Sequence, residues 1–225
     1  MLPTGWIRDG KLSAFRWVGG KGSANVAALT SLICIAHASD DEGSSKLTYD
    51  QICMATGLSR AKLSEGLTVL VENGLIERSP SGRSTFRLVG FNPKEGWGKL
   101  PARRLYSKTG QIAAFEDFKL RHSAELVALK MYLLIVAFRN NSTNLTHLSY
   151  DKFEELAGIE RGRIKKALSL LINAGLVHVE RIPSTTNEHG MSNAYRLTGI
   201  DPFRHPGTTG RSDEFADMIA TATQS

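Results

Sequence analysis

LTYDQICMATGLSRAKLSEGLTVLVENGLIER (residues 47–78) returns 101 positions later, without a gap, as LSYDKFEELAGIERGRIKKALSLLINAGLVHV (148–179). Nine of the 32 aligned positions are identical, where roughly two are expected by chance. They include Tyr49 and Tyr150, Asp50 and Asp151, Gly57 and Gly158, Arg60 and Arg161, and Gly74 and Gly175. The match extends outward on both sides. Upstream, SANVAALTSLICIAHA (23–38) pairs with SAELVALKMYLLIVAF (123–138), GKLSAF (10–15) with GQIAAF (110–115), and Leu2-Pro3 with Leu100-Pro101. Downstream, FRLVGFNP (86–93) pairs with YRLTGIDP (195–202) at an offset of 109, so the second copy carries eight more residues just before that strand. The expected organisation is a domain over 1–98, a second over 99–206, and a tail over 207–225 without a counterpart, in which a short helix from Asp213 is compatible with the pattern.

Each copy has a definite local reading. In 24–38 the apolar residues fall at helical spacing around most of the circumference, which predicts a buried first helix. The acidic, Ser- and Gly-containing SDDEGSS (39–45) reads as a loop. Thr48, with Gln51 three residues on, forms a capping-box pattern for a second helix whose Ile52 and Ala55 face inward, and Gly57 stops it; Ser149 and Gly158 repeat the cap and the stop. Ser59 caps a third helix in which Leu63, Leu67, Leu70 and Val71 share the inner face, while Ala61, Ser64, Glu65 and Thr68 look outward, until Gly74. Helix, glycine turn, amphipathic helix is the helix-turn-helix arrangement, whose second helix enters a major groove. LIERS (75–79) and STFRLVG (84–90) around PSGR then predict a hairpin wing, repeated as LVHVERI (176–182) and NAYRLTG (193–199) around PSTTNEHGMS.

This pattern resembles the winged-helix superfamily. LTYDQICMATGLSRAKLSEGLTVLVENGLIER and its partner look like the bacterial helix-turn-helix followed by Gly-Leu-Ile entering a wing, and the resemblance covers nearly the whole chain twice. The fold class it implies is mainly α with small β wings, two tandem winged-helix domains from an internal duplication. The layout is similar to plasmid replication initiators and to winged-helix transcriptional regulators, and it implies double-stranded DNA as the partner. Tandem winged-helix subunits of chromosome-organising complexes resemble it too; they bind a partner protein, but tend to be acidic.

Charge separates these readings. The chain of 225 residues holds 28 Lys and Arg against 22 Asp and Glu, a net charge of +6, and such an excess favours polyanions. Residues 1–98 hold 11 basic and 9 acidic side chains, residues 99–206 hold 16 and 10, and the tail holds 1 and 3. The candidates near the start of the first recognition helix are Arg60, Lys62 and the outward Ser64, with Glu65 opposing them. On the second they are Arg161, Arg163, Lys165 and Lys166, with Glu160. Phosphate neutralisation by such side chains supplies affinity, and groove-facing residues of the first turn supply specificity. In the wings, Arg83, Arg181, Asn187 and His189 either reach a minor groove or phosphates or belong to solvated loops. Tyr49 and Tyr150 either bond a phosphate or pack in the core. The second domain is expected to read DNA, with the first supporting it or supplying a homodimer or partner-protein surface.

No catalytic pattern emerges. VGGKGSAN (18–25) lacks the spacing of a phosphate-binding loop, the six histidines form no ligand-spaced cluster, and no Gly-x-Ser-x-Gly elbow occurs. The expectation is a protein that is not an enzyme and takes no metal or cofactor. Cys34 and Cys53 read as small buried hydrophobes. No run reaches the ~20 apolar residues of a membrane span; LVALKMYLLIVAF (126–138) carries Lys130 and reads as a core helix. The N-terminal MLPTGWIRDG lacks the apolar stretch of a signal peptide, which gives a cytoplasmic expectation, nucleoid- or plasmid-associated in a bacterium.

Overall fold

The two repeats build the same succession of elements. The computed structural model describes residues 1–78, 84–183 and 191–200. The first half runs β1 (Leu2–Pro3), α1 (Gly5–Arg8), a 3-10 turn (Lys11–Ala14), α2 (Gly22–Ala38), β2 (Ser44–Lys46), α3 (Tyr49–Thr56), α4 (Arg60–Glu72), β3 (Ile76–Arg78) and β4 (Thr85–Leu88). The second runs β5 (Trp97–Gly98), α5 (Ala102–Leu105), a 3-10 turn (Ala113–Phe115), α6 (Ser123–Phe138), β6 (Leu145–His147), α7 (Tyr150–Ala157), α8 (Arg161–Asn173), β7 (Val177–Pro183) and β8 (Met191–Leu197). The molecule is mixed α/β, with helices predominating and small antiparallel sheets. None of its described helices is long and apolar enough to cross a membrane.

Two helices that are apolar all round must be enclosed on all sides. α2 buries 14 of its 17 residues and α6 13 of its 16, and the two pack on each other, each with its own third helix, α4 or α8, against it. At Gly66 a Cβ would stand 2.8 Å from the backbone of Ala27 and Ala28, so α4 lies close upon α2; Ala167 occupies that register in α8. Gly66 also corrects the expected inner face of α4. Leu63, Leu67 and Leu70 are fully buried with it, whereas Val71 is 42% exposed, as is Ile172 at the same register of α8 at 45%.

The caps form as the sequence predicts. Gln51 N–H donates to Thr48 Oγ1 (3.2 Å) while Thr48 N–H donates to Gln51 Oε1 (2.8 Å), and Ser149 Oγ accepts from Lys152 N (3.2 Å). Ser59 Oγ accepts from Lys62 N (3.3 Å). Gly57 and Gly158 take φ of 70° and 60°, the left-handed conformation that lets the chain turn within three residues into the next helix.

The two three-stranded sheets each have a strand that the sequence reading did not anticipate, β2 overlapping the stretch read as loop. β2 pairs with β4 and β6 with β8, giving orders β2-β4-β3 and β6-β8-β7. Three polar residues are too short a run to show alternation, yet Ser45 and Thr146 point inward and are buried, Thr146 Oγ1 donating to Ile135 O (2.9 Å). Asp40 and Asn140 shape the turns before them, each accepting two backbone N–H bonds. The second hairpin is longer than expected: Pro183, Met191 and Ser192, read as loop, are strand residues, and Pro183 pairs with Met191. Residues 79–83, 184–190 and 201–225 lie outside the described residues, and with them Arg83, Asn187, His189 and the expected tail helix.

The segments preceding α2 and α6 cross over. GKLSAF lies on the second half: Ser13 sits against Gly158 at the end of α7, and Lys130 Nζ of α6 donates to Phe15 O (3.0 Å). Arg8 donates to Ala137 O and stacks 4.8 Å above the centroid of Phe138. GQIAAF lies on the first half, Ile112 N–H donating to Ala55 O (2.6 Å) at the end of α3. Residues 10–13 thus meet 156–158 while their repeats 110–113 meet 55–57, a reciprocal contact of equivalent positions. β1 and β5 pair directly, Leu2 with Gly98 and Pro3 with Trp97, so the stretch in which the sequence places the domain boundary is itself paired structure. One continuous apolar core runs through both halves.

The crossing also encloses a polar cluster. His37 Nδ1 and the Tyr106 hydroxyl are 3.2 Å apart, and His37 Nε2 lies 3.4 Å from Leu100 O. Burial pushes the Cys34 thiol beside Tyr106 up to about 12, which keeps it inert at neutral pH, and pushes the half-buried His37 down to about 3. A histidine neutral in the fold but protonated near pH 6.5 when unfolded withdraws stability as pH falls from 6.5 towards 3. Between pH 6.5 and pH 5 the expected loss is about 2 kcal/mol. Urea denaturation at the two pH values in wild type and His37→Gln checks this: the substitution should flatten the dependence by that amount, and an unchanged slope excludes His37 as its source.

Candidate nucleic-acid interface

α3 and α7 end in left-handed glycines, so α4 and α8 each begin three residues later at the surface. Arg60 and Arg161 are the first residues of those helices, and both side chains are exposed. Each is held by the carboxylate ten residues earlier: Arg60 Nη2 to Asp50 Oδ1 at 2.6 Å, and Arg161 Nη2 to Asp151 Oδ1 at 2.6 Å. The pairing spans two helices, so no i,i+4 rule announces it in sequence; the signal was the identity of Asp50 with Asp151 and of Arg60 with Arg161. The two aspartates are the site residues that sequence reasoning left out.

Beyond this shared pair the two surfaces diverge. On α4, Lys62 Nζ bonds Glu65 (2.7 Å) and reaches back to Ser23 Oγ of α2 (3.1 Å). Ser64 is exposed, and its carbonyl accepts from Thr68 Oγ1. Two cations, Arg60 and Lys62, are therefore matched by two anions, Asp50 and Glu65. On α8, Arg163 pairs with Glu160 at 3.1 Å, so Arg161 and Arg163 are likewise matched. Lys165 and Lys166 stand at the registers of Ser64 and Glu65, are exposed, and have no partner among the described residues. Local pairing thus reduces the net charge from the sequence values of +1 and +3 to 0 on α4 and +2 on α8.

The wing of the second half adds exposed Arg181 on β7, opposite Asn193. Its two strands are tied by Arg196 Nε to Glu180 Oε1 (2.6 Å), while Arg196 Nη1 donates to Thr143 O (2.8 Å). The Arg196 hydrogen bond holds the Glu180 carboxyl below the usual carboxylate range, so the clasp persists across neutral pH. Tyr49 and Tyr150 are half-buried against the core, at the rim of this surface. Arg161, Arg163, Lys165 and Lys166 all lie within the first two turns of α8, and Arg60, Lys62 and Ser64 within those of α4. Compared with family models, curated proteins and solved structures, the chain matches none.

Proposed function

We propose that this protein binds double-stranded DNA through two winged-helix units derived from an internal duplication, with α8 as the principal reading helix. The observation that carries this is the pair Lys165 and Lys166, exposed and uncompensated on a helix that follows a glycine turn. Lys and Arg in this position neutralise phosphates, and the first residues of the second helix of such a turn lie closest to base edges. The ion pair of Arg163 with Glu160 is exposed, and a carboxylate partner held so weakly exchanges readily for phosphate oxygens. α4, neutral after pairing, supports α8 on the duplex and contributes less to affinity.

Affinity for a duplex of random sequence, measured by fluorescence anisotropy at about 50 mM and about 200 mM salt, tests the reading. A steep loss with salt supports it; no binding at the lower concentration overturns it. Two uses fit a DNA-binding protein of this layout, transcriptional regulation and replication initiation on a plasmid or related element, and either places the protein at the nucleoid or plasmid. Footprints separate them: direct repeats at an origin mark initiation, and an inverted pair over a promoter marks regulation.

A further inference from the structure

The nine identities between the two repeats sort by environment. Leu47, Leu67, Leu70 and Leu75, with Leu148, Leu168, Leu171 and Leu176, are core residues. Gly57 and Gly74, with Gly158 and Gly175, take positive φ at helix ends. Tyr49 and Tyr150 pack half-buried against the core. The remaining two positions, Asp50 with Asp151 and Arg60 with Arg161, are exposed by 62 to 75% and bonded to each other in both halves through the same atoms at 2.6 Å. Asp50 and Asp151 lie in the first turns of α3 and α7, where a carboxylate suits the helix dipole, but this leaves the repeated arginine opposite each unexplained, since exposed ion pairs add little to stability. Attraction of phosphate does not account for it either, since a carboxylate at the mouth of the helix opposes a polyanion.

We propose that Asp50 and Asp151 are positioning residues that orient Arg60 and Arg161 to read guanine, an inference that rests on the DNA-binding reading given above. An arginine on a free four-bond stem loses much rotamer freedom on ordering, and a carboxylate that fixes the guanidinium removes part of that loss before DNA arrives. The bond to aspartate uses one of five N–H donors. The others include the parallel pair that a guanine O6 and N7 accept in the major groove. The arginine begins its helix directly after the turn, where residues meet base edges rather than only phosphates.

The test selects duplexes of about 30 base pairs with a randomised centre on the full chain, in wild type, Asp50→Asn, Asp151→Asn and Arg161→Lys. Wild type should retain a guanine at one fixed position for each arginine. Asp151→Asn should lose one of these and bind the wild-type-selected duplex about tenfold more weakly, with unchanged or higher affinity for random duplex because a negative charge is gone. Arg161→Lys should lose the same guanine while keeping non-specific affinity, since it keeps the charge without the fork. Asp50→Asn should lose the other. Retention of every guanine by the aspartate variants overturns the proposal, whether their affinity rises throughout or their Tm falls. If wild type binds duplex but selects no base, the positioning proposal alone fails; if it retains no duplex at low salt, the DNA-binding reading fails with it.

Discussion

Replacing Lys165 and Lys166 together with alanine should lower affinity for duplex DNA on the order of 50-fold near 0.1 M salt and remove about two units from the slope of log K against log salt. Each uncompensated cation that meets a phosphate releases about 0.9 of a condensed counterion, and at that concentration each release is worth nearly a factor of ten. The matched double substitution of Arg60 and Lys62 should have a much smaller effect. Those cations are already compensated by Asp50 and Glu65, so their removal takes little net positive charge from the surface that meets phosphate. Salt titrations of wild type and both double variants decide the matter. Equal losses mean that α8 is not the principal reader, and an unchanged slope for the Lys165/Lys166 variant removes these lysines from the interface.

Cutting the chain between residues 98 and 99 should abolish folding of both pieces. The reciprocal crossing leaves fragment 1–98 without the surface that covers Ile7, Leu12 and Phe15, all at 1% exposure or less, and leaves α2 without α6. Burying three such side chains contributes roughly 5 to 9 kcal/mol, comparable with the whole stability of a domain of this size. Fragment 99–225 loses the contacts of α1 and the first 3-10 turn with α6 and α7. Circular dichroism and size-exclusion chromatography should show each fragment unfolded or aggregated alone and native-like helicity regained on mixing. A fragment that melts cooperatively by itself would show that the repeats, despite their exchanged arms, are independent domains.

What the sequence disclosed was local. Thr48 with Gln51, Ser149 with Gly158, and the leucines of α4 announce their roles within a few residues of chain, because caps and helix faces are governed by spacing. Val71 misled because the buried stripe of α4 is Leu63, Gly66, Leu67 and Leu70, centred where Gly66 meets α2 rather than on Val71. β2 and β6 were hidden because three polar residues carry no period; only pairing with β4 and β8 makes them strands. The bond between Arg60 and Asp50 joins two helices, and repetition in the second half was its only trace in the sequence. The repeat also disclosed that 10–15 and 110–115 are equivalent, but a repeat is indifferent to whether each segment packs at home or across. Which of the two occurs depends on the faces of α6 and α7 and of α3, far away in the chain.

The exchange of arms has a consequence in time. During synthesis residues 10–15 emerge first, but Gly158, against which Ser13 rests, follows some 140 residues later, about 7 to 30 s at ordinary rates of elongation. Throughout that interval the nascent first half holds Leu12 and Phe15 without their eventual cover. The first half therefore waits for α7 to be covered, and the second for α8 and β8, which follow later still, so translation itself, rather than local helix formation, paces the appearance of the finished surface.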